Sequence, residues 1–200
     1  MKFALVNGLK TTASPTLSGH CPTCTSNVIP RCGAIKEWHW AHSSEADCDP
    51  WSEPETEWHY SWKNEFPDEN QEVTIGCHRA DVKLPSLVIE LQNSPISTFE
   101  IQEREDFYQD MVWLVNAEPF HEHFDLRRAY SPTESSFRWK WPRRSWQAAR
   151  KPIVLDLCHS LFLLKKVYWT GRCGGYGKII PAKTFIQDPT VLLRETITYG

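Results

Sequence analysis

The chain lacks any apolar run approaching the roughly 20 residues that a membrane-crossing helix needs, which sets a membrane-spanning class aside. The opening Met1 to Val6 is too short to read as a signal peptide. Glycine is sparse, 9 in 200 residues. Its one dense stretch, Gly171 to Gly177 (GRCGGYG), reads as a turn and lacks the following lysine and helix signal of a phosphate-cradling loop, which argues against an ATP-driven role. Neither a nucleophile elbow nor a Ser-His-Asp arrangement is present. An even, regularly spaced cysteine set is also missing: the seven cysteines are mostly scattered, which suits a reducing, cytoplasmic setting better than a disulfide framework.

What is present suits a globular protein with one main domain and a small appendage, expected as segments 1–48, 49–117 and 118–200. The net charge is only −3, but it is unevenly laid out. Glu45 to Glu72 holds ten acidic residues against a single lysine, whereas Phe137 to Leu155 holds six basic residues and no acid. Such segregation can set an acidic, metal-binding site beside a phosphate-binding surface.

CPTC (Cys21 to Cys24) is followed, after fourteen residues, by HWAH (His39 to His42). Thiolates two residues apart reach one metal from a tight turn, and Cys21, Cys24, His39 and His42 together offer the four ligands of a closed tetrahedral zinc site. Cys32 and Cys48 stand by as replacement ligands, because the two histidines are closer than is usual. Packing of Trp38, His39 and Trp40 around buried thiols is the alternative. Four protein ligands leave no open position, so the zinc would be structural.

Trp51, Trp58, Trp62 and Phe66 recur at helical spacing, predicting an amphipathic helix from Trp51 to Phe66 with Ser52 as cap and Pro54 in its first turn. Glu55, His59 and Lys63 then form an i, i+4, i+8 row, with Glu57 pointing nearly opposite. His78 to Leu84 (HRADVKL) and Leu87 to Gln92 (LVIELQ) read as two strands of a hairpin, with Asp81 on one and Glu90 and Gln92 on the other. Asp81 and Glu90 can jointly hold Mg²⁺ or Mn²⁺, hard cations that prefer oxygen and can activate a water against a phosphodiester. Read alone, the pattern fits satisfied polar positions at strand ends better than a nuclease site. Ser94 to Met111 reads as a capped helix carrying a Glu100–Arg104 pair, and Met111 to Val115 as a buried strand.

Taken together, ETEWHYSWK, HRADV, VIELQNSPIS and EREDFYQDMVWLV resemble the nuclease-like domain of the competence protein CoiA family, and CPTC with HWAH resembles the zinc-ribbon-like segment before it. The resemblance implies an α/β fold with a restriction-endonuclease-like PD-(D/E)xK core, a mixed sheet flanked by helices behind a small zinc module. It implies Asp81 and Glu90 as metal-holding acids and Gln92 where the superfamily usually has lysine. Lys63 or His59 would then supply the missing cation, and Glu55 the helix carboxylate, with Glu57 as fallback. The implied activity is Mg²⁺- or Mn²⁺-dependent cleavage of DNA in recombination, DNA uptake or defence. A DNA-binding protein with weak or lost catalysis, or a protein adaptor, is the competing expectation.

In the C-terminal part, Phe124 to Arg128, Ile153 to Cys158 and Leu161 to Trp169 read as strands that extend the sheet. Phe137 to Lys151 interleaves tryptophans with Arg138, Lys140, Arg143 and Arg144. This is a candidate nucleic-acid surface in which cations meet phosphates and indoles stack on unpaired bases. Burial of Trp139, Trp141 and Trp146 with solvated charges fits the same pattern. Nothing in the chain specifies an oligomeric state.

Overall fold

The structure, a computed structural model, describes residues 1–43, 48–129, 131–158, 160–171 and 173–200. The acidic run therefore begins, at 45–47, outside the described residues, as does Arg172 within the glycine-rich segment. The chain forms two compact units, Met1–Lys83 and Leu84–Gly200.

Among the described residues of the first unit, β1 (Phe3–Val6), β2 (Leu9–Thr12), β3 (Gly19–His20), β4 (Asn27–Arg31) and β5 (His39–His42) form an antiparallel sheet in the order β2-β1-β3-β4-β5. Asn7 and Gly8 close the first hairpin with φ of 51° and 79°. Two successive positive φ values give a turn whose twist matches the strands, and Asn-Gly tolerates them best. Ala4, Ala13, Cys21, Val28 and Trp40 form the core, and the Trp40 indole N–H donates to the Thr11 carbonyl at 2.9 Å.

The helix expected from Trp51 to Phe66 is shorter: α1 spans Glu57–Lys63, with Thr56 rather than Ser52 at its N-cap. Pro54 disfavours helical backbone at the residue before it. The Thr56 N–H also donates to His59 Nδ1 at 3.2 Å, so a histidine takes the reciprocal place usually held by Glu or Gln in a capping box. Glu55 thus lies outside the helix. β6 (Gln71–Ile75) and β7 (His78–Leu84) follow, paired antiparallel around Gly76, whose φ is 58°.

In the second unit, β8 (Leu87–Gln92), α2 (Thr98–Tyr108) and β9 (Met111–Asn116) make a parallel crossover. Ser97 caps α2, its hydroxyl accepting the Glu100 N–H at 3.1 Å. β10 (Phe124–Ala129), β11 (Glu134–Trp139), β12 (Ile153–Asp156), β13 (Leu161–Tyr168) and β14 (Gly174–Ile180) continue the sheet in the order β10-β11-β14-β13-β12-β9-β8. The short helix α3 (Ala182–Gln187) precedes β15 (Thr198–Tyr199), which lies beside β13. β12 runs parallel to β9 and antiparallel to β13, so the sheet is mixed and the architecture α/β. Every residue of β8 and β9 is buried, as expected for strands covered on both faces.

The glycine-rich segment corrects one expectation. Gly174–Gly177 is strand, not turn, because a Cβ at Gly175 would sit 1.8 Å from the Lys166 carbonyl oxygen; glycine here admits a close backbone approach. No helix among the described residues is long and apolar enough to cross a membrane.

Candidate functional site

Cys21 and Cys24 occupy a tight turn after β3, in which Cys21 N–H donates to Ser26 O at 2.8 Å and Thr25 N–H to Cys21 O at 3.0 Å. Their thiols converge with His42 and Cys48, all four ligand atoms lying within 4.8 Å of one another. Cys24 Sγ lies 3.2 Å from His42 Nε2, and Cys21 Sγ 3.8 Å from Cys48 Sγ. Three sulfurs and an imidazole can hold a metal ion, and the donor types suit zinc.

His39, expected in this set, is not brought to it; its Nδ1 sits 2.8 Å from the Glu37 carbonyl. The reason is strand geometry. HWAH lies on β5, where side chains alternate, so residues three apart face opposite sides and His42 shares its side with buried Trp40. Cys48 takes the place. Burial and neighbouring sulfurs push the Cys48 thiol up to about 12. For Cys24, burial is outweighed by hydrogen bonds from Ser26 and His42, which bring it down to about 6.

A second cluster in the first unit is built on Lys63, at the last turn of α1 and only 1% exposed. Its Nζ lies 2.9 Å from Glu55 Oε1, 3.0 Å from Glu72 Oε1 and 3.4 Å from Asp81 Oδ1. The β6–β7 register pairs Gln71 with Val82 and Val73 with Ala80, which sets Glu72 across from Asp81. Glu72 also accepts the Lys2 N–H at 2.8 and 2.9 Å and the Phe3 N–H at 3.3 Å. Its backbone φ of 46° is unusual for a buried side chain that is not glycine.

The electrostatics follow from this packing. Burial alone would raise the Glu72 carboxyl, but Lys63 and Arg79 hold it well below the usual carboxylate range. Glu55, by contrast, is raised by burial and by the Glu72 carboxylate beside it. Burial would lower the Lys63 ammonium, yet Glu72, Asp81 and Glu55 hold it above its ordinary value. Glu72 and Arg79 carry no role in any motif that the sequence displays. The β-branched run before Gly76 was the available signal for the strand that carries Glu72.

Of the expected row, Lys63 meets both Glu55 and Asp81, whereas the His59 Nδ1 serves the helix cap. In the second unit, Arg104 donates to Glu90 Oε2 at 2.7 Å and also pairs with Glu100. Gln92 Nε2 donates to Ser94 O at 3.0 Å.

Of the basic and aromatic segment, Trp139 and Trp146 are buried and Trp141 is exposed. Arg143 donates to Asn93 O at 3.3 Å, and its guanidinium lies 5.0 Å from the Phe120 ring centre. Arg144 donates to Trp169 O at 3.1 Å. Both arginines thus brace loops, while Arg138, Lys140 and Arg144 border one cleft.

Residues 17–50 match the family model described as competence protein CoiA, N-terminal domain. The matched segment contains all four residues of the Cys21, Cys24, His42 and Cys48 cluster. No curated protein and no solved structure matches the chain.

Proposed function

We propose that the chain is a metal-dependent DNA nuclease of the PD-(D/E)xK type carrying a structural zinc module. The observation that carries this reading is the buried Lys63 ammonium, 3.4 Å from Asp81 and held in place by Glu55 and Glu72. It supplies from α1 the cation that Gln92 cannot supply in the motif's usual lysine position. Glu90 and Gln92 enter the reading from the order of the motifs.

The carboxylate oxygens are chemically suited to Mg²⁺ or Mn²⁺. Glu72 is closed over Lys63 at 1% exposure and Glu55 is 11% exposed, whereas Asp81 keeps a solvent face at 22%. Asp81 is therefore the residue of this unit that would hold the ion. A bound divalent ion would supply Lewis-acid activation of water. Lys63 would place positive charge against the phosphate, and Glu55 and Glu72 would fix its direction.

Plasmid and single-stranded DNA incubated with Mg²⁺ or Mn²⁺ test the reading. The wild-type protein is expected to cleave, and Asp81→Ala and Lys63→Met to lose cleavage. Equal cleavage by all three, or none by the wild type with either metal, removes the assignment.

A second reading, a DNA-binding protein without catalysis, is favoured by the buried Glu90–Arg104 pair, in which the motif's second acid already has a fixed cation. Salt-dependent DNA binding without nicking in the same assay would select it.

A further inference from the structure

Trp141 is the most unusual exposed residue of the second unit. It is 68% exposed and its backbone has φ 54°, a conformation in which a bulky side chain is strained. Strain at an exposed aromatic is not repaid by core packing, and such outliers point toward binding sites. The Lys140 Nζ lies over one face of the indole, 4.1 Å from the ring centre, and His123 meets it edge-on at 4.6 Å, which leaves stacking to the opposite face. The segment itself is anchored: Lys140 N–H donates to His123 O at 2.7 Å and Trp139 N–H to Cys173 O at 2.9 Å.

Trp141 borders a cleft of about 340 Å³ shared with Arg138, Lys140, Arg144 and the buried Trp139. None of the described residues lining it is acidic. The nearest acid along the strand pairing is Asp125, opposite Arg138, and it is held by Arg127 at 3.0 Å. An exposed indole beside a cleft lined by three cations matches a ligand that has both a flat π-face and phosphates.

We infer that this cleft binds an unpaired nucleotide of a single-stranded nucleic acid, the base stacking on Trp141 and the phosphates meeting Lys140, Arg138 and Arg144. The inference goes beyond the nuclease reading and is tested apart from it, in the absence of added Mg²⁺ and Mn²⁺. The probes are fluorescein-labelled oligo-dT and an abasic oligomer of the same length, which has the phosphates without the bases.

Anisotropy titration is expected to give the wild-type protein about tenfold tighter binding to oligo-dT than to the abasic strand. Trp141→Ala removes most of that difference, and Trp141→Phe keeps it within about threefold of wild type, because a phenyl ring still stacks. Lys140→Ala weakens both probes alike and flattens the salt dependence. Unchanged unfolding midpoints for the Trp141 variants show that the fold is kept. Equal affinity of the wild type for the two probes, or an oligo-dT affinity unaffected by Trp141→Ala, overturns the inference. So does poly-glutamate binding as tightly as oligo-dT with the same dependence on Trp141, which would make the cleft a site for acidic peptides.

Discussion

Replacing Lys63 with methionine keeps an unbranched apolar chain, one atom shorter, and removes the ammonium from among three carboxylates. At roughly 3 Å and an effective dielectric of about 20, each contact is worth about 5 kcal/mol of gross attraction, and Lys63 makes two such contacts, at 2.9 and 3.0 Å, and a longer one at 3.4 Å. Desolvation of the buried ammonium, several kcal/mol, is recovered in the variant. Arg79 still faces Glu72, Glu55 and Asp81. The net cost is therefore in the range found when one partner of a buried pair is removed, about 3 to 5 kcal/mol at neutral pH.

The pH dependence gives this prediction a second edge. In the wild type, Glu72 has a depressed folded-state value, so its contribution is present above the unfolded carboxylate range and is lost as pH falls through the folded value. Without Lys63, Glu72 keeps Arg79 but loses its nearest cation, so burial lifts its carboxyl from the depressed value while Glu55 stays raised. A raised carboxyl makes the folded state the better proton binder, so the variant gains stability as pH falls. The deficit must narrow between neutral pH and about pH 5. Urea unfolding followed by tryptophan fluorescence at both pH values measures it. A deficit under about 1 kcal/mol, or one of equal size at both, refutes the account of the cluster.

Two further outcomes follow from packing and ligand geometry. Cys48→Ser is expected to lower bound zinc, measured by elemental analysis of purified protein, from about one ion per chain, whereas His39→Ala leaves it unchanged; the reverse pattern would restore His39 to the site. Gly175→Ala puts a Cβ 1.8 Å from the Lys166 carbonyl and is expected to destabilise the second unit by about 3 kcal/mol or more. Gly33→Ala, with nothing within 4 Å, provides the neutral control in the same thermal melts.

The sequence was most legible where period and burial agree. The boundaries of β7 and β8 fall where the alternation and the apolar run place them, whereas the helix expected from Ser94 to Met111 is shorter, Thr98–Tyr108, with Ser97 as its cap. The N-terminal sheet was not read, because strands of two to five residues carry too little period, although Asn7-Gly8 announced its first hairpin. Helical spacing puts Glu55 and Lys63 on one row, two turns apart; they meet because Glu55 lies outside the helix. Glu72 was invisible because its place depends on the register of β6 against β7, which no local pattern encodes. His39 falls outside the site because His-x-x-His lies on a strand, where alternation separates the two histidines that the spacing offers as a ligand pair.

The buried acids also divide by how they are neutralised. Glu105 is 0% exposed and accepts from the Trp113 indole N–H, two backbone N–H groups and Arg150. Glu90, at 3%, is held by Arg104, and Glu72, at 1%, by Lys63. Displacing any of these cations would expose a buried charge, at a cost of several kcal/mol. Asp81 differs. It shares Lys63 at the longest of the three distances and keeps its solvent face, so a metal ion can compete with Lys63 for it without opening the core. If chemistry occurs in the first unit, it belongs at this edge of the cluster.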